Sequence, residues 1–147
     1  MALIASYDDP EAWYPVYNGG QRGECFIMPA SKYTLTSCKF NLQKAGSPTG
    51  NCYARLYAVT GTIGTDAVPT GSVLATSDAK DVSTISTSTG LVEFSFSGAE
   101  QYELQASTNY YIGIYFSASL FHPPAYLNHT FHSVVRLSSM LCVLHLA

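Results

Sequence analysis

Apolar and polar residues alternate with period two along most of the chain, and clusters of turn-forming residues separate the alternating runs. Residues 33–44 are the clearest case, with Cys38, Phe40 and Leu42 on one face and Lys39, Asn41 and Gln43 on the other. Ala45-Gly46-Ser47-Pro48-Thr49-Gly50 interrupts the pattern with turn residues. Residues 51–60 resume it, with Ala54, Leu56 and Ala58 opposed to Tyr53, Arg55 and Tyr57. These two runs and their link predict a hairpin. Residues 61–72 read as a Gly/Thr/Pro loop, 73–77 as a short strand, and 78–90 as a polar connection anchored by Val82 and Ile85. Residues 91–97 turn Val92, Phe94 and Phe96 inward. Residues 109–117 oppose Tyr110, Ile112, Ile114 and Phe116 to Tyr111, Gly113 and Tyr115. Weaker strand patterns lie at 3–7, 13–17 and 24–28.

About eight short strands with no convincing helix predict an all-β fold, a two-sheet antiparallel sandwich of jelly-roll type. Phe40, Leu42, Leu56, Phe94, Phe96, Ile112, Ile114 and Phe116 are expected to share one core. The pattern changes after Ser117. All four histidines fall in the remaining segment, which also holds Phe121-His122-Pro123-Pro124. Residues 133–147 are apolar without clean alternation, so helix and strand both stay open there. The expected organisation is a sandwich module over 1–117 and an atypical segment over 118–147 that packs on it or extends it.

Composition sharpens this picture. Charged residues are 12% of the 147, the net charge is −3, and no basic patch suited to nucleic acid occurs. No apolar run reaches the length of a membrane-spanning helix. The start, Met1-Ala2-Leu3-Ile4-Ala5, has no basic segment, so the expectation is a chain without a secretory signal, delivered by lysis or on a virion. Few charges and the apolar run 134–146 also predict a homo-oligomer, a trimer among the candidates.

Candidate chemistry is sparse. Cys25, Cys38, Cys52 and Cys142 lack the tight spacing of a zinc or redox pair. Buried free thiols are the main expectation and a Cys38–Cys52 disulfide is the alternative. His122, His129 and His132 allow a metal site but read more simply as surface residues. Asn128-His129-Thr130 fits a glycosylation acceptor, discounted without a secretory signal. No cofactor is expected. Asp8, Asp9 and Glu11 form the one tight carboxylate cluster, a solvated turn or a structural Ca²⁺ site. No catalytic motif occurs, and Glu93 is the main strand carboxylate, so no enzyme is expected and a glycoside hydrolase is only the third reading. The informative feature is outward tyrosine: Tyr53 and Tyr57 share a face of one strand, Tyr111 and Tyr115 of another. Should the strands be neighbours, these rings and Arg55 form a platform for a sugar ring; otherwise they are ordinary strand tyrosines.

Lys44-Ala45-Gly46-Ser47-Pro48-Thr49-Gly50-Asn51, Val68-Pro69-Thr70-Gly71-Ser72-Val73-Leu74-Ala75-Thr76-Ser77 and Phe94-Ser95-Phe96-Ser97-Gly98 occur together here. With Ala54-Arg55-Leu56-Tyr57-Ala58 and Asn109-Tyr110-Tyr111-Ile112, they resemble a β-sandwich module of phage and metagenomic proteins, similar to choice-of-anchor surface domains, over about residues 3–117. The resemblance implies a non-catalytic attachment or virion-associated domain, with a glycan or a surface or virion protein as partner and the virion or an extracellular surface as location. A carbohydrate-binding module is the alternative. The segment after Ser117 departs from that family, which suggests a truncated or frame-shifted end that leaves one sheet edge for the tail to cover.

Overall fold

The computed structural model describes residues 14–16, 20–117 and 134–146, and describes side chains for 20–117. Its strands are β1 (Tyr14–Val16), β2 (Gln21–Ile27), β3 (Tyr33–Ala45), β4 (Asn51–Thr60), β5 (Val68–Thr76), β6 (Lys80–Asp81), β7 (Gly90–Ser95), β8 (Glu103–Leu104), β9 (Asn109–Ser117) and β10 (Val134–Leu146). The helical elements among the described residues are two short 3₁₀ turns, Val82–Thr84 and Gly98–Glu100. No helix there is long and apolar enough to cross a membrane.

The chain folds as one long antiparallel ribbon rolled upon itself. Its first half pairs with its second half in reverse order: β1 with β10, β2 with β9, β3 with β7 and β4 with β5. Rolling then joins β10 to β3 and β9 to β4. The result is two five-stranded sheets, β1-β10-β3-β7 with β8 on β3, and β2-β9-β4-β5 with β6 on β4. This is the jelly-roll sandwich that the alternation predicts.

Three local expectations change. The runs around residues 33–44 and 51–60 are not a hairpin, because β3 lies in the first sheet and β4 in the second. Gly46 (φ 71°) and Gly50 (φ 103°) let the intervening link cross between sheets. The Lys44 N–H bonds Ser86 O at 2.9 Å and the Val82 N–H bonds Gly50 O at 3.1 Å, tying that link to the 78–90 connection. Consequently Cys38 and Cys52 belong to different sheets, and both are buried thiols, not joined in a disulfide. Burial pushes the Cys52 thiol up to about 12, so it packs as an apolar group. The true hairpin is β4–β5, since β5 begins at Val68 within the expected loop. Residues 134–146 settle as a strand, with backbone pairing to β1 and β3 of the same chain. Residues 134–146 thus form an interior strand of the first sheet, between β1 and β3.

All eight expected core residues are buried together, joined by Phe26, Met28, Leu35 and Leu104. Val82 and Ile85 anchor their connection in this core. Leu35 and Cys38 both point inward although three positions apart, so β3 must bulge between them; the β10 register shifts opposite the same place, between His145 and Leu146. At the centre Phe40 and Phe94 meet edge to face, ring centroids 5.9 Å apart. Phe94→Ala should cost about 3–5 kcal/mol in chemical denaturation while leaving the strand signature in circular dichroism intact.

One inward position carries a carboxylate. Glu24 pairs with Ile112 across β2–β9 and precedes Phe26 on the inner face of β2. Its buried Oε1 has no hydrogen-bond partner, and desolvation raises its carboxyl to about 7. A carboxyl raised on folding makes the folded state hold the proton longer than the unfolded chain. Its contribution is therefore fully present below about 4.5 and is lost as the pH rises to about 7. Glu24→Gln should melt like the wild type near pH 4.5 and above it at pH 8. Equal melting temperatures at pH 8 would place the carboxylate in water.

Candidate functional site

The β4–β9 register settles whether the outward tyrosines are neighbours. Tyr53 pairs with Tyr115, Arg55 with Gly113, and Tyr57 with Tyr111. On the far side of β9, Gln21 pairs with Tyr115, Gly23 with Gly113, and Cys25 with Tyr111. Because side chains alternate across a strand, all these residues point to the outer face of the second sheet. Tyr53, Arg55, Tyr57, Tyr111 and Tyr115 thus form one surface, in three rows crossing three strands.

The middle row is small, and the rows beside it use the space. A Cβ placed on Gly113 would sit 2.7 Å from the Tyr111 hydroxyl and 2.8 Å from its Cε1. One placed on Gly23 would overlap the Ile112 carbonyl. The Tyr111 ring therefore lies back over Gly113, covering the glycine pair as an aromatic does where a strand lacks a side chain. It is only 9% exposed, and burial pushes its hydroxyl up to about 12. Its hydroxyl meets the Gln21 side chain. Tyr57 packs edge-on to Tyr111, with centroids 6.1 Å apart at 62°, and donates its hydroxyl to Gln21 Oε1 at 3.1 Å. Gln21 thus fixes two rings.

The opposite corner holds the cation. Arg55 Cζ lies 3.6 Å from the centroid of the Tyr115 ring, a cation–π contact. Its Nε is enclosed and meets no acceptor. The ion pairs among the described side chains are Lys32–Glu103 and Lys39–Glu93, and neither involves Arg55. No outward position on β2, β4 or β9 carries a carboxylate. Tyr53, Arg55, Tyr57 and Tyr115 stay part-exposed, whereas Tyr111 is buried.

The carboxylates lie elsewhere. Glu93 is on the outer face of the first sheet, where it accepts from Ser37 Oγ at 2.8 Å and faces Lys39 Nζ at 3.8 Å. Glu24 points between the sheets from β2, so these two do not flank a common cleft. Among the described residues no group of three or more His, Cys, Asp or Glu side chains is placed to hold a metal. Asp8, Asp9, Glu11, His122, His129 and His132 lie outside the described residues, as does the Asn128 acceptor motif.

Sequence reasoning placed the five face residues but missed Gln21, the Gly23–Gly113 row and Glu24. The signal for the first two was the Gln21, Gly23, Cys25 alternation of β2, too short and too polar to assign a face by itself. Replacing Gly113 with Ala should displace the Tyr111 ring and press on the Arg22 carbonyl, 2.7 Å away. We expect a loss of about 1–3 kcal/mol, as for overpacking elsewhere, with a changed near-ultraviolet tyrosine signal. An unaltered melt and spectrum would contradict this packing.

No family model matches the chain, and neither a curated protein nor a solved structure matches it significantly.

Proposed function

We propose that the protein is a non-enzymatic binding domain acting at a cell or virion surface, and that the outer face of β2, β9 and β4 holds its ligand, a glycan. The observation that carries this reading is the in-register set of Tyr53, Arg55, Tyr57 and Tyr115 on one part-exposed face. Aromatic rings stack on the apolar face of a pyranose, while hydroxyls, the Gln21 amide and a guanidinium satisfy its oxygens. Tyr111 supports the face from below instead of contacting ligand, because its ring is covered. The resemblance of residues 3–117 to surface-attachment modules points the same way, and a carbohydrate-binding module is the same site serving an enzyme complex.

An aromatic contact contributes on the order of 1 kcal/mol beyond its burial, so one site binds weakly and repeated display supplies avidity. Display as a homo-oligomer fits this use, and sedimentation of the purified chain reads it. Tyr57→Ala combined with Tyr115→Ala should abolish glycan-array binding while the protein keeps its strand spectrum and cooperative melt. Array binding that survives both substitutions would remove this face from the function.

A further inference from the structure

We infer that the glycan recognised by this face is acidic, and that the Arg55 guanidinium binds a sugar carboxylate. The inference rests on the glycan reading above and makes it specific.

Arg55 is the cation in the outward rows of β2, β9 and β4, where every other side chain is uncharged or a thiol. A lone cation on a strand face usually meets a carboxylate on the next strand, because opposite charges across strands stabilise the pair. Here the cross-strand position is Gly113 on one side and Thr76 on the other. Neither side chain is anionic, and the Glu100 carboxylate beside Thr76 accepts from the Thr76 N–H at 2.6 Å and makes no ion pair with Arg55. The guanidinium rests instead on Tyr115, with its Nε enclosed and unsatisfied. Stacking holds the plane of the group and leaves the fork of Nη donors without an anion among the described residues.

A guanidinium held this way selects for shape as well as charge. Two parallel N–H donors match the two oxygens of a planar carboxylate, which makes the pair directional and strong. Tyr53 and Tyr57 flank Arg55 at two residues on either side, so a sugar whose carboxylate meets the guanidinium has an aromatic ring on both sides of that contact. Uronic acids and sialic acids combine a pyranose with such a carboxylate. A neutral glycan would cover the part-exposed guanidinium without matching its charge, at the cost of desolvating it.

The test is a glycan panel in which each uronate- or sialate-bearing oligosaccharide is printed beside its carboxyl-reduced, neutral counterpart, with dextran sulfate as a charge control. Wild-type protein should bind acidic members, and reduction should weaken binding about tenfold or more, the worth of one charge-assisted hydrogen-bonded contact. Arg55→Lys keeps the charge without the fork and should lose the same factor with a cooperative melt retained. Equal binding to acidic and reduced partners would overturn the inference but leave the glycan site standing. Dextran sulfate binding as tight as the carboxylated members, kept in Arg55→Lys, would overturn it in favour of unspecific charge. Binding to no glycan at all would overturn both readings. The comparison of printed partners needs only the wild-type protein, so it decides the question even where a variant fails to fold.

Discussion

The pairing of β4 with β9 is the constraint on which the rest of the molecule depends. It is one of the two contacts that close the rolled ribbon, and both strands are interior to the second sheet. Its register sets two surfaces at once. Inward it aligns Cys52 with Phe116, Ala54 with Ile114 and Leu56 with Ile112, all buried in the core. Outward it aligns Tyr53 with Tyr115 and Tyr57 with Tyr111. A slip by one residue would turn Tyr53, Arg55 and Tyr57 into the space between the sheets and expose Ala54 and Leu56. Burial of the aliphatic row therefore fixes the aromatic row without any contact designed for a ligand.

Alternation made the faces of strands legible and left their partners unread. Residues 33–44 and 51–60 each showed their inward set correctly, yet the Gly/Pro link between them crosses from one sheet to the other, and period two carries no record of which sheet a strand joins. The start of β5 escaped notice because Pro69 and Gly71 mark its exposed half as loop, although an edge strand tolerates both where its outer backbone groups face solvent. Residues 134–146 read as helix or strand alike because β10 is an apolar run whose register against β3 shifts several times. Such irregularities break the alternation that would have identified it.

The described side chains of the two outward faces are satisfied in different ways. Among the described side chains of the first sheet, Ser37 and Lys39 engage Glu93, and Gln43 accepts from Thr89 Oγ1 at 3.0 Å. On the second sheet the hydrogen bonds run inward to the support: Gln21 serves Tyr57 and Tyr111, and Tyr111 fills the glycine row. This fixes ring positions before any ligand arrives, which lowers the ordering cost of binding. Arg55, stacked but unpaired, is the group left without a matching charge.

The candidate site was thus half legible. Tyrosine parity could be read from residues 51–60 and 109–117 alone, since it follows from counting by two. What could not be read was depth. Tyr111 and Tyr115 have the same parity on the same strand, yet one is buried and the other part-exposed. The difference comes from Gly113 lying between them opposite Gly23, a vacancy that exists only once β2 is paired to β9 in this register. One ring falls into that vacancy and becomes structure. The other carries the guanidinium and remains at the surface. A glycine pair, invisible as a pair until the strands are joined, therefore decides which of two tyrosines of equal parity is buried beneath the face and which stays part-exposed on it.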